Sequence, residues 1–171
     1  YVVLSKTTPR WQFLLGKYLG LACTVAGNVA IMALGFVLVL WVMEIPVHGE
    51  LAGALVAICV ELWVLTAVAL FCSTFTTTTL SAICTIAVYV IGHSLGQLTS
   101  LGTKLDTIGR TILTTIAYVV PDLERFNLKG LVIEPHAFGS LDFFLMVVYG
   151  LTYIAFLLAL ATLVFQRRDF Q

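Results

Sequence analysis

Glu61 is the residue best placed to do chemistry, because it stands near the middle of a long apolar run. A charged side chain at that depth costs about 2.5–3.5 kcal/mol on insertion scales, so it must face protein or water rather than lipid. Ala54, Ala57, Glu61, Leu65, Val68 and Cys72 share one helical face of mostly small residues, the composition of an inter-helix contact. Two roles fit the acid: a substrate-path or switch group, or a hydrogen-bonded packing residue. Asn28 and Thr24 in the run before it, and Ser81, Thr85 and Tyr89 in the run after it, are the other polar groups in mid-span. Hydrogen bonding between helices is their expected use. Asn28 and Tyr89 join Glu61 as candidates for lining a path.

Other chemistry is thin. His48, His93, His136 and Met43 offer imidazole and thioether ligands suited to copper, but none is paired at ligand spacing, and no metal site is expected. Cys23, Cys59, Cys72 and Cys84 lie inside apolar runs without a short paired spacing, which reads as small buried hydrophobes. There is no Gly-x-x-x-x-Gly-Lys-Ser/Thr phosphate loop, no Gly-x-Ser-x-Gly elbow and no His-Glu-x-x-His helix. No catalytic residue, enzyme activity or cofactor is expected of the chain itself. Energy, if used, arrives from a partner.

The elements that position these groups follow from composition. Of 171 residues, 60% are hydrophobic and 11% charged, against roughly 25% charged in a soluble domain, and the mean hydropathy is +1.05. That points to an all-α, polytopic membrane helix bundle, with lipid around it and no surface for nucleic acid. A span takes about 20 apolar residues, and four stretches qualify: 19–42, 51–75, 79–98 and 141–165. The chain divides accordingly into a cytoplasmic segment 1–18, three spans over 19–98, an extracytoplasmic loop 99–140, the last span 141–165 and a cytoplasmic tail 166–171.

Charge sets the expected orientation. Lys6, Arg10, Lys17, Arg167 and Arg168 stand against Asp169 alone in the terminal segments, whereas the two outer connections hold four bases against seven acids, counting Asp142 at the rim of the last span. Basic flanks stay inside, so both ends of this chain are placed in the cytoplasm. Within the outer loop, Leu105, Ile108, Ile112, Ile116 and Val119 recur at helical spacing before Pro121. That predicts an amphipathic helix over 105–120, about 24 Å long and too short to cross a ~30 Å core, lying along the outer interface. Residues 121–127 and 132–136 read as a polar loop beyond it. Gly16/Gly20, Gly49/Gly53 and Gly92/Gly96 have the spacing that lets helices approach closely.

At the amino end, Thr8 reads as an N-cap with Pro9 at the first helical position. Trp11 and Tyr18 follow as interface anchors. Leu4, Ser5, Lys6, Arg10, Phe13, Leu14, Gly16 and Lys17 fit the pattern Leu-Ser-Lys-Pro-x-Ser-Arg-x-x-Phe-Leu-x-Gly-Lys. This resembles the permease subunits of type-two ABC exporters, in the subfamily that includes the nitrous-oxide-reductase maturation permease. The basic tail, residues 165–170, and the outer-loop helix are also similar to that family's. Proline stands at Pro9 here, whereas the family has it where Thr7 stands.

The resemblance implies a permease of a bacterial or archaeal inner membrane with two further helices before Tyr1, making six. It also implies a cytoplasmic ABC ATPase that engages Ser5, Lys6, Thr7, Thr8, Pro9 and Arg10, and a second permease subunit in a dimer. The expected function is ATP-driven export or translocation of an unidentified substrate. The alternatives are an ion-coupled carrier using Glu61 and a non-transporting membrane anchor or assembly subunit.

Overall fold

A computed structural model describes residues 10–45, 50–102, 111, 115, 120–127 and 140–167. These residues are helical almost throughout, with no strand among them. Four long helices, α1 (Arg10–Val42), α2 (Glu50–Ser73), α3 (Thr78–Gly102) and α4 (Ser140–Arg167), carry the bundle. Among the described residues, a 3-10 turn, Leu123–Phe126, stands between α3 and α4 in the chain. Each long helix contains a stretch apolar and long enough to cross a membrane: Trp11–Val42, Leu51–Ser73, Thr78–Gly96 and Leu141–Val164.

α1 starts earlier than the hydropathy of its span indicates. It runs unbroken from Arg10, and 33 residues at 1.5 Å make about 50 Å, some 20 Å more than the hydrocarbon core. Its far end closes in a Schellman motif. The Ile45 N–H donates to the Leu40 carbonyl at 3.0 Å and the Glu44 N–H to Trp41 at 3.2 Å. Glu44 occupies the left-handed position at φ 57°, where glycine is favoured. Replacing Glu44 by glycine removes that strain and is expected to stabilise the protein by up to about 1 kcal/mol, read as a higher midpoint of thermal unfolding in detergent.

The turn between α2 and α3 explains its own threonines. The last carbonyls of a helix have no intrahelical donor. Here Ser73 Oγ donates to Leu70 O, Thr74 Oγ1 to Phe71 O and Thr76 Oγ1 to Cys72 O, at 2.7–2.8 Å. Hydroxyls thus cap the end of α2 where it meets the boundary of the apolar region, and α3 restarts at Thr78.

α2 is the spine. It packs against α1, α3 and α4, while α3 and α4 scarcely touch one another. Ala57, Val64 and Ala67 are fully buried along it, and Val68 and Cys72 nearly so. Trp63 Nε1 donates to the Ala22 carbonyl of α1 at 3.1 Å, and the Tyr18 hydroxyl donates to the Trp63 carbonyl at 3.4 Å. Tyr18 is therefore buried in the α1–α2 seam, at 6% exposure, rather than set outward as an interface anchor. Trp11 is half exposed. Of residues 105–120, Thr111, Thr115 and Val120 are described; the two threonines are helical, with Thr115 Oγ1 donating to the Thr111 carbonyl at 2.9 Å, and Val120 lies in a bend. The rest of that segment lies outside the described residues.

Candidate functional site

Because α3 and α4 stand apart, a gap opens between them with α2 behind it. The Leu123–Phe126 turn fills the end of that gap. The sequence reading of 121–127 as a polar loop did not foresee that two of its side chains are buried. A 3-10 turn repeats every three residues, so Leu123 and Phe126 fall on one side, and they are buried to 0% and 2% exposure. Glu124 and Arg125 remain exposed.

Glycines make the room. A Cβ on Gly92 would stand 2.8 Å from both Leu123 Cγ and the Pro121 carbonyl oxygen. One on Gly96 would strike the Glu124 carboxylate, and one on Gly150 would strike Val60 and reach within 3.2 Å of the Phe126 ring. The Gly92-xxx-Gly96 pair thus receives a turn of chain rather than another helix.

Polar contacts fix the turn's orientation. The Asp122 N–H donates to the Tyr149 hydroxyl at 3.0 Å, and the Gly96 N–H donates to Glu124 Oε2 at 2.9 Å. Arg125 Nε donates to Asp122 Oδ2 at 3.0 Å, and its guanidinium lies 5.4 Å from the centre of the Tyr149 ring. Among the described residues no fully buried side-chain nitrogen or oxygen lacks a partner.

Depth matters here. Val60 and Gly150 are each nine residues inside their spans, Leu51–Ser73 and Leu141–Val164, about 14 Å along each helix at 1.5 Å per residue. The Phe126 ring reaches that depth, whereas the turn's contacts on α3, Gly92 and Gly96, fall at the end of the Thr78–Gly96 span.

Glu61 lies one residue from Val60, on the face of α2 turned to α3. Its Oε1 is 3.4 Å from His93 Nε2, with side-chain exposures of 14% and 26% for Glu61 and His93. His93 follows Gly92, so the pair borders the seat of the turn. Tyr89, one helical turn away, lays its ring against the imidazole at 4.5 Å between centroids, and its carbonyl lies 3.3 Å from His93 Nδ1. The arrangement is a carboxylate, an imidazole and a phenol ring gathered inside the spans. Ionisable groups so placed must find their partners in protein or water, because lipid offers none.

The other sequence candidates fall elsewhere. Asn28 lies on an exposed stretch of α1, a helix that packs on α2 and α4, and so does not join His93 and Tyr89. Thr24 and Thr85 bond back to the Gly20 and Ser81 carbonyls of their own helices, whereas Ser81 Oγ crosses to Ala69 of α2 at 2.8 Å. Ser5, Lys6, Thr7, Thr8 and Pro9 lie outside the described residues, as do His48 and His136; Arg10 opens α1. No cluster of three potential metal-ligating side chains (His, Cys, Asp or Glu) occurs among the described residues. Sequence reasoning missed His93 as the partner of Glu61. The available signal was a histidine inside an apolar helix, four residues after a tyrosine.

Four apolar helices of this length place the chain among multi-pass membrane proteins. No protein-family model, curated protein or solved structure matches it.

Proposed function

We propose that this chain is the membrane-spanning subunit of an ATP-driven ABC-type transporter, working as one half of a dimer to move an unidentified substrate. A cytoplasmic ATPase supplies the hydrolysis. The observation that carries the reading is the buried Leu123–Phe126 turn, lodged between two helices that scarcely touch. An anchor has no use for such a construction, because close helix packing would bury the same surface without a separate turn of chain between the spans. A transporter does, since a gap closed by a separable plug can open without unfolding a span.

α1 supports the same reading. It joins the basic segment to the membrane as one rigid rod, so force applied near Arg10 reaches the α1–α2 seam at Tyr18 and Trp63. In this reading both ends of the chain are cytoplasmic, the membrane is a bacterial or archaeal plasma membrane, and two more helices complete a six-helix permease. Ser5 to Arg10 meet acidic groups on the ATPase. Reversing the charges of Lys6 and Arg10 together is expected to leave membrane insertion intact and lower transport-coupled ATP hydrolysis at least several-fold. Unchanged coupled transport in the assembled complex would leave those residues a topological role alone.

The Glu61–His93 pair favours a second reading, an ion-coupled carrier in which the pair exchanges a proton. Transport that follows a proton gradient and ignores nucleotide would select it.

A further inference from the structure

Two of the four cysteines meet across the α2–α3 hairpin. Cys72 lies in the last turn of α2 and Cys84 in the second turn of α3, twelve residues apart, with sulfurs 3.0 Å from one another. Cys72 is buried at 3% exposure, and Cys84 is partly exposed. The contact is held from both sides. Ser81 Oγ ties α3 to the Ala69 carbonyl of α2, and the Thr76 N–H and hydroxyl both bond the Cys72 carbonyl.

We propose that Cys72 and Cys84 form a dithiol site that closes to an intramolecular disulfide on reaction with an organic hydroperoxide. The partly exposed Cys84 sulfur attacks the peroxide O–O bond and becomes a sulfenic acid, releasing the alcohol. The Cys72 sulfur then attacks the Cys84 sulfur, the S–O bond breaks, and the hydroxyl leaves as water with the Cys72 proton. In balance, two thiols and one hydroperoxide give one disulfide, one alcohol and one water. The thiols lose two electrons and the peroxide gains them. A disulfide is about 2.05 Å long, so the sulfurs need approach by only about 1 Å. A resolving thiol already in contact traps the sulfenic acid before further oxidation. The bond would latch to α2 the helix that carries His93 and the glycine seat of the Leu123–Phe126 turn.

The test uses the full chain in membranes, with Cys23 and Cys59 replaced by alanine in one version and retained in another. Cumene hydroperoxide is the oxidant, and free thiols are counted after denaturation with a maleimide mass tag. The expected result is loss of both tags together, restoration of both by dithiothreitol, and a chain lighter by two hydrogens. With C72S, Cys84 should instead be trapped by dimedone as sulfenic acid or proceed to sulfinic acid. With C84S, Cys72 should keep its tag. Both thiols persisting at a peroxide dose that oxidises the exposed Cys23 of the unsubstituted chain would overturn the proposal. So would oxidation of Cys84 to sulfinic acid while Cys72 stays free.

Discussion

Leucine at Gly92 is expected to expel the Leu123–Phe126 turn from between α3 and α4. The added Cβ alone would stand 2.8 Å from the Pro121 carbonyl oxygen, a backbone atom that cannot rotate away, and 2.8 Å from Leu123 Cγ. Overpacking of this kind costs about 1–3 kcal/mol when neighbours can shift. Here the neighbour is itself pinned by Tyr149 and Gly96, so release of the turn is the cheaper relaxation. The readout is a cysteine at Leu123 in an otherwise cysteine-free chain. That position is fully buried, so a water-soluble maleimide should label it slowly in the parent and at least several-fold faster with Gly92→Leu. Gly16 supplies the control, since a Cβ there meets nothing within 4 Å, and Gly16→Leu should leave labelling unchanged. Equal labelling of all three proteins would mean that the turn is not seated on Gly92.

Glu61→Lys carries the second large effect. It sets an ammonium against His93 inside the spans, where the present partner is a carboxylate 3.4 Å away. The new charge would lie where Glu61 now keeps only 14% side-chain exposure, and a buried charge without a compensating partner is strongly destabilising. The expected outcome is a several-fold lower yield of monodisperse protein by size-exclusion chromatography in mild detergent. Adding His93→Glu should restore much of that yield by inverting the pair. Glu61→Gln should fold normally, because the amide still offers hydrogen-bonding groups to the imidazole. A double variant no better than Glu61→Lys alone would show that the two residues do not act as a pair.

The spans were legible because helices that cross lipid must be long and apolar, and the α2–α3 turn was legible because its threonines interrupt that pattern at one point. Glu61 stood out for the opposite reason, as a charge where none is cheap. Its partner was not legible, since His93 stands 32 positions further on and meets it only through the packing of α3 on α2.

The burial of the Leu123–Phe126 turn was not legible, for a definite physical reason. Asp122, Glu124 and Arg125 make 121–127 polar by composition, and hydropathy averages over the three-residue period that buries Leu123 and Phe126. The sequence did mark the seat, through Gly92 and Gly96, but that spacing carries no information about whether a helix or a turn occupies it. Cys72 and Cys84 were hidden likewise, because a separation of twelve residues becomes a contact only once the chain turns at Thr74–Thr77.

The central claim is that nucleotide hydrolysis by a partner drives this membrane subunit. The most direct measurement is purification of the full-length protein from its native membranes in mild detergent, followed by identification of its partners and assay of ATP hydrolysis. The account predicts a complex containing a subunit with a phosphate-binding loop, whose ATPase activity falls at least several-fold when Lys6 and Arg10 are charge-reversed. A chain that purifies intact with no nucleotide-hydrolysing partner, and whose transport follows a proton gradient, would contradict it.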